Sequence, residues 1–305
     1  MLEYAFRIYG INVYTNYDLR KYIRINNIHS NVADDLNNVR LIISFIEPNV
    51  TKQGIFLINN HKCIFAFSGC EYLIDVDENL IEVKVCDIDI FLNSFMNIPF
   101  SLYFMLKKKI VLHACAINVK DRIVCFSGAK GAGKSTLLFN LLKNNACFFS
   151  DDTILINDCV DNLVNCFKTL DIIKIERNSI WRQNDLSQYY LNIQKKYYIP
   201  VSDLTDKVSP EKGILHSIYF LRKRANSNDL EIKEITNKEV KKIMLIKSIS
   251  GYNSFDENLK RCYFIDSFID IVVSNVNFYT LELTDDINRI NEQSKKLYQY
   301  INDNI

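Results

Sequence analysis

The residues from Gly128 to Ser135 have the types and spacing of a loop that binds phosphate. They read Gly-Ala-Lys-Gly-Ala-Gly-Lys-Ser and fit the pattern G-x-x-x-x-G-K-[ST] in full. Three glycines let consecutive backbone N–H groups approach phosphate oxygens without a Cβ clash. Lys134 offers a positive charge to the β- and γ-phosphates, and the Ser135 hydroxyl is a ligand for Mg²⁺. The predicted nucleotide site consists of Gly128, Ala129, Lys130, Gly131, Ala132, Gly133, Lys134, Ser135 and Thr136.

A pair of carboxylates, Asp151-Asp152, begins 17 residues after Lys134. At the end of a strand neighbouring the loop, one carboxylate can hold Mg²⁺ and the other can accept a proton from an attacking hydroxyl. An acidic turn with no chemical role is the alternative. The location after a complete phosphate loop favours the chemical role, and phosphoryl transfer is the reaction that it predicts.

His113 is one of four histidines and lies at the start of the strand before the loop. A histidine at a strand start is more often structural than catalytic. On its own, therefore, it predicts no role.

The elements around the loop are those that an anion site needs. The apolar run Arg122–Ser127 predicts a strand, and Lys134–Asn144 predicts a helix whose leucines share one face. The helix N-terminus then points its N–H groups and its dipole at the anion. The run Val111–Val119, turned back by Lys120-Asp121, predicts an antiparallel hairpin with the strand that feeds the loop.

The rest of the chain predicts an α/β protein with a β-rich N-terminal domain at 1–90 and a nucleotide-binding domain at 91–305. Further strands are expected at 4–14, 39–45, 54–58, 63–67, 81–85, 146–149, 153–156, 216–221 and 278–283. Helices are expected at 89–108 (kinked or split at Pro99), 237–248, 259–274 and 285–300, the last one capped by Thr284. Residues 160–213 are rich in Asn, Ser, Gln and Lys and predict, in part, a long loop or lid.

Composition excludes several classes of protein. The 305 residues are 48% hydrophobic and 24% charged, which is typical of a globular chain. Lys and Arg number 37 against 36 Asp and Glu, so neither nucleic acid nor an anionic membrane is an expected partner. Nine cysteines without C-x-x-C spacing suggest a reducing, cytoplasmic location, and no run of 18 apolar residues predicts a membrane span.

These motifs together resemble a known family. Leu112-His113-Ala-Cys-Ala116, the hairpin, the glycine loop and Ser150-Asp151-Asp152 are similar to the catalytic domain of HPr kinase/phosphorylase. They resemble more closely the HPr-kinase-like proteins encoded with peptide-modification clusters, including lasso-peptide precursor kinases. The motifs are specific over about 110–155, and the rest of the chain fits only as a pattern.

The resemblance implies a P-loop fold related to the nucleotide domain of phosphoenolpyruvate carboxykinase, and ATP-dependent phosphorylation of a serine or threonine hydroxyl. It implies that Lys134 stabilises the β- and γ-phosphates, Ser135 and Asp152 hold Mg²⁺, and Asp151 acts as the base. His113 would lie near the transferred phosphoryl group. HPr kinases are hexamers, so a homo-oligomer is a further expectation.

Two departures from the family stand out. Lys130 replaces the usual serine of the loop, and lies either over the phosphates or in solvent. The Leu-Glu-Ile-Arg-Gly-type signature is absent, and only Ile175-Glu176-Arg177-Asn178 echoes it, although Lys174 and Glu176 fall where nucleotide or metal contacts could arise. The missing signature argues against HPr as the substrate and against the reverse reaction.

The leading hypothesis is an ATP- and Mg²⁺-dependent kinase acting on a hydroxyl of a peptide or protein, such as a ribosomally made precursor peptide. GTP in place of ATP stays open. The alternatives are a kinase for a small hydroxylated metabolite and a non-catalytic module that senses nucleotide.

Overall fold

The computed structural model describes residues 4–22, 38–46, 54–59, 61–67, 69–94, 98–176, 188–191, 195–224, 230–252, 266–284 and 286–305. Within these ranges the chain forms three β-sheets and six α-helices. The expected mixed α/β class is therefore confirmed.

The first sheet comes entirely from the N-terminal part of the chain. Its strands are β1 (Tyr4–Ile8), β2 (Ile11–Thr15), β3 (Asn38–Phe45), β4 (Gly54–Asn59), β5 (Lys62–Phe67), β6 (Cys70–Asp75) and β7 (Leu80–Val85). They lie in the order β1-β2-β3-β7-β6-β5-β4. The sequence did not predict β6, although Cys70, Tyr72 and Ile74 are buried and alternate with the half-buried Glu71 and Leu73.

Two apolar helices connect the first sheet to the second. They are α1 (Ile88–Ser94) and α2 (Ile98–Leu106), so the expected break near Pro99 is confirmed. Pro99 lies in the first turn of α2, where a missing N–H costs no helical hydrogen bond. Every residue of α2 is buried, because sheets flank it.

The second sheet carries the predicted loop. Its strands are β8 (Ile110–Leu112), β9 (Ala114–Val119), β10 (Arg122–Ser127), β11 (Cys147–Ser150), β12 (Ile154–Val160), β13 (Leu163–Lys168), β17 (Lys212–Arg224), β18 (Glu231–Glu234) and β19 (Asn277–Thr284). The order is β11-β9-β10-β17-β13-β12-β8, with β19 beside β17 and β18 beside β19. β10 pairs antiparallel with β9, which confirms the hairpin, and parallel with β17.

The expected single strand over 111–119 is wrong, because it breaks at His113. β8 pairs with β12, whereas β9 pairs with β10 and β11. At the break, the His113 N–H donates to the carbonyl of Ser248, and the Ala114 N–H donates to the carbonyl of Asp152. β8 and β9 therefore pair with different neighbouring strands, and His113 is the residue between them.

Strands occupy much of the region 160–213, where the sequence predicted, in part, a long loop or lid. This region contains β13, the start of β17, and a small third sheet of β14 (Ile172–Glu176), β16 (Lys196–Pro200) and β15 (Tyr190–Leu191). Apolar side chains of β14 and β16, including Ile173 and Ile199, are buried against the second sheet and its helix. Residues 177–187 and 192–194 lie outside the described residues.

The remaining helices are α3 (Lys134–Lys143), α4 (Lys238–Lys247), α5 (Asp266–Asn275) and α6 (Ile287–Asn304). They confirm the predicted helices, except that 259–265 lies outside the described residues. The Thr284 hydroxyl accepts from the Asp286 N–H just before α6 begins. In the described part of the chain, no helix combines the length and apolar character needed to cross a membrane.

One hydrophobic cluster crosses between the sheets. It joins first-sheet residues and α2 to Val111, Leu155 and Leu170 of the second sheet region and to Tyr198 of the third. The predicted domain boundary at residue 90 stays a prediction, and the packing on its two sides is continuous.

Candidate nucleotide-binding and catalytic site

The glycine loop lies between β10 and α3, where the chain must turn sharply into a helix. Gly133 is the N-cap of α3, with φ = +94°, a conformation that favours glycine. At Gly128, with φ = +154°, a Cβ would lie 3.0 Å from the carbonyl oxygen of Leu221. These two glycines let the loop fit against β17 and present the helix N-terminus to the cleft.

Lys134 is buried and reaches back across the loop. Its Nζ donates to the carbonyls of Gly128, at 2.9 Å, and Ala129, at 3.3 Å. Burial lowers the pKa of Lys134 from its ordinary value, although nearby aspartates oppose the shift. Anionic phosphate oxygens are stronger hydrogen-bond acceptors for an ammonium group than neutral carbonyls are. Lys134 could therefore replace its hydrogen bonds to these two carbonyls with hydrogen bonds to a phosphate.

Ser135 and Asp151 meet at the first turn of α3. The Ser135 hydroxyl donates to Asp151 Oδ1 at 3.3 Å, and the Lys174 backbone N–H donates to Asp151 Oδ2 at 2.9 Å. Burial and the adjacent Asp152 raise the pKa of Asp151 from 3.8 to about 6. Asp151 comes from the end of β11, which is separated from β10 by β9 and is not its direct neighbour.

Asp152 has a different environment, although it is the next residue. Its φ is +73°, in the left-handed region that residues other than glycine adopt uncommonly. Lys174 Nζ lies 2.6 Å from Asp152 Oδ2, and both side chains are largely buried. Burial alone would raise the pKa of Asp152, but Lys174 and His113 outweigh it and hold that pKa well below its ordinary value.

His113 projects into the same cleft from the break between β8 and β9. Its Nδ1 lies 2.9 Å from the backbone carbonyl of Asp152, which can only accept, so Nδ1 carries the hydrogen. Burial lowers the pKa of His113, despite the attraction of Asp152. A neutral ring with Nδ1–H leaves Nε2 with a lone pair, able to accept a proton or a hydrogen bond.

One cleft brings these groups together. It is lined by His113, Lys130, Gly131, Gly133, Lys134, Ser135, Thr136, Phe139, Asp151, Asp152, Lys174, Ile175, Glu176 and Lys196. The predicted residues Gly128, Ala129 and Ala132 belong to the loop but not to the lining. Lys130 is exposed at the mouth of the cleft.

Two cations in this cleft reach it from β14 and β16. The sequence predicts nucleotide or metal contacts near Lys174, but it gives no expectation for Lys196. Lys174 also lies 5.3 Å from the centre of the Tyr198 ring. Lys196 comes beside Glu176 through the pairing of β14 with β16. No local sequence motif could therefore have indicated that Lys196 belongs to the site.

The donor set fits Mg²⁺. A serine hydroxyl and a carboxylate are hard oxygen ligands, which this ion prefers. Within the described residues, no three His, Cys, Asp or Glu side chains come together as a metal cage. A magnesium ion here would complete its shell with water and nucleotide phosphates, as Mg²⁺ usually does.

Comparison with known proteins gives a likeness to solved structures but none to a family model or a curated sequence. No protein-family model matches the sequence, and neither does any curated protein. The chain is similar to the solved structure of the HPr(Ser) kinase/phosphatase from Coxiella burnetii, with 12% identity and a TM-score of 0.34 over 64% of this chain and 99% of that one.

Proposed function

We propose that this protein is an ATP- and Mg²⁺-dependent kinase that phosphorylates a serine or threonine hydroxyl of a peptide or protein. One observation carries the proposal. The glycine loop, a Ser135–Asp151 contact and an Asp152–Lys174 ion pair lie at the same cleft. Phosphoryl transfer needs anchored phosphates, a divalent cation and a group that accepts the hydroxyl proton, and this cleft has candidates for each.

The loop and Lys134 would hold the nucleotide. Backbone N–H groups at the start of α3 and the Lys134 ammonium bind the β- and γ-phosphates. Ser135 and one aspartate would hold Mg²⁺, which when bound neutralises charge that develops on the phosphates. Phe139, on the next turn of α3, adds an apolar contact at the cleft wall.

We assign the proton-accepting role to Asp151 and the metal role to Asp152. Within the described residues, no cationic side chain donates a hydrogen bond to Asp151, whereas Asp152 forms an ion pair with Lys174. A carboxylate that lacks a bound cation is the better proton acceptor of the two. His113, with Nε2 available, would orient the acceptor hydroxyl beside them.

The acceptor that we propose is a polypeptide, and more narrowly a ribosomally made precursor peptide. The motif resemblance supports this choice. The first sheet ends in β1 and β4, and an extended peptide can add to a strand at the end of a sheet. A small hydroxylated metabolite is the competing acceptor.

The test is transfer of the γ-phosphate to a defined hydroxyl. Purified protein is incubated with Mg²⁺, labelled ATP and a library of serine- and threonine-containing peptides, beside the same peptides with alanine and valine in their place. We expect label only in the hydroxyl-bearing set, located on the side chain by mass spectrometry.

Asp151→Asn separates a kinase from a nucleotide sensor. A kinase should lose transfer while keeping its affinity for ATP, because the side chain keeps its size. Transfer at the wild-type rate in this variant would overturn the assignment of the base. Nucleotide binding without transfer to any peptide or metabolite would favour a sensing role.

A further inference from the structure

We propose that the chain has a second ligand site, for a small molecule with a carboxylate or phosphate group joined to an apolar part. The site is a cavity of about 290 Å³ between the β1–β2 turn, the C-terminal end of α2, β12 and β13. It shares no lining residue with the cleft of the glycine loop.

Two lysines supply the attraction for an anion. Lys107 Nζ donates to the side-chain oxygen of Asn79 at 2.8 Å, and Lys109 Nζ donates to the backbone carbonyl of Asn157 at 2.6 Å. Both acceptors are neutral. No carboxylate among the described residues forms an ion pair with either lysine.

The surroundings offer this positive charge neutral partners, including the Tyr103 ring, whose centre lies 4.8 Å from Lys107 Nζ. Burial lowers the pKa of Lys107, and the nearby Lys109 adds to that shift. Asp77 opposes it, but Asp77 is exposed and its carboxylate already contacts His61 Nδ1 at 2.8 Å. Two ammonium groups that share a partly buried cavity destabilise each other, and a bound anion would relieve this cost.

The walls of the cavity favour a ligand that has an apolar part, because most of the lining side chains are apolar. Tyr9, Tyr103, Phe104 and Phe167 contribute rings to the lining, together with aliphatic Leu155. The volume lies near the lower end of the range for small-molecule sites. An aromatic or short alkyl acid can pack against these rings while its anionic end meets the lysines, whereas a bare inorganic ion would leave the apolar walls uncovered.

The site also lies next to the catalytic turn without belonging to it. The Tyr9 hydroxyl forms a 2.6 Å hydrogen bond with the Thr153 hydroxyl, and Thr153 follows Asp152. A ligand that packs on the Tyr9 ring therefore contacts a residue whose hydroxyl is hydrogen-bonded to Thr153, next to the Asp151–Asp152 pair.

The experiment is calorimetric titration of the full chain with two probes, benzoate and phenyl phosphate. Lys107→Met and Lys109→Met remove one charge each with little change of side-chain size. Lys108→Met is the matched control, because Lys108 is exposed between them and does not line the cavity. Lys134→Met removes the same charge from the other cleft.

We expect at least one probe to bind the wild-type protein, the Lys108→Met variant and the Lys134→Met variant with equal affinity. Loss of one charge-assisted contact should raise Kd about tenfold or more in Lys107→Met and in Lys109→Met. Binding of benzoate alone would identify a carboxylate ligand, and tighter binding of phenyl phosphate would identify a phosphate ester.

Two results would overturn the proposal. One is the absence of binding heat for either probe with wild-type protein at up to about 10 mM. The other is a loss of affinity confined to Lys134→Met, which would place the anion at the glycine loop. Thermal unfolding of each variant shows whether it is folded, and if one lysine variant fails to fold, the other makes the same test. Neither result depends on kinase activity, so the proposed function can fail separately.

Discussion

Replacing Lys174 with methionine should destabilise the whole protein, because it leaves Asp152 without its cation. The Lys174 side chain is 6% exposed, that of Asp152 is 14% exposed, and their charged atoms lie 2.6 Å apart. Removing one member of a buried ion pair typically costs about 3–5 kcal/mol. His113 lies 3.4 Å from the other Asp152 oxygen, but burial lowers its pKa and favours its neutral form. Since water can reach Asp152 through the cleft, we expect the lower end, about 3 kcal/mol of unfolding free energy.

The assay is urea unfolding of a double-mutant cycle, which needs no knowledge of the substrate. Asp152→Asn removes the charge that Lys174 balances, so the double variant should be more stable than the sum of the two losses implies. For groups in direct contact, this coupling is about 0.5–3 kcal/mol. Lys130→Met, an exposed position at the same cleft, should change stability by less than about 0.5 kcal/mol. Losses that simply add, or an unchanged Lys174→Met variant, would show that the pair does not stabilise the fold.

Three other substitutions test separate parts of the structure. Lys134→Met should weaken binding of ATP by about 10- to 100-fold, since it removes a charged hydrogen-bond donor. Lys130→Met should weaken binding less, because Lys130 is exposed. Equal losses of affinity in a fluorescent-nucleotide titration would contradict the phosphate-binding role of Lys134. Tyr9→Phe should lower unfolding free energy by about 1 kcal/mol, because it removes the hydrogen bond to Thr153, and unchanged urea midpoints would speak against that bond. Gly213→Ala should cost about 1–3 kcal/mol, because the new Cβ would lie 2.4 Å from an isoleucine side chain of β10; a thermal midpoint equal to the wild type would show that this core can yield.

The loop and its hairpin could be predicted because their signals are local. Glycines at fixed spacing, a lysine and a serine within eight residues define a backbone shape that needs no distant partner. Strand β10 and helix α3 were predicted for the same reason, since each has its own periodicity. The two aspartates were found by their position after the loop.

The third sheet could not be read from composition. Polar residues in this region suggested a loop in part of it, yet consecutive residues of β14 and of β16 are buried, and the two strands pair with each other. The sequence contains no marker for that pairing, which is a long-range contact. Lys196 was therefore not predicted at the site, because strand pairing and not spacing brings it there, whereas Lys174 was expected only as a position where nucleotide or metal contacts could arise.

The break at His113 has a similar cause. The whole stretch 111–119 is strand-forming, so propensity alone favours one continuous strand. Its interruption follows from hydrogen bonds to Ser248 and Asp152, residues that are distant in the sequence. Competing tertiary partners outweigh local preference at this one residue.

The hydrophobic cluster that spans the first and second sheets has a consequence for hydrogen exchange. Packing that is continuous from β1 through α2 to Leu155 means that the first sheet cannot open without exposing apolar surface of the second. Binding that favours the closed, folded form stabilises every part that opens together with it. Nucleotide bound at the glycine loop should therefore slow amide exchange in β2 and β7, strands that do not line its cleft.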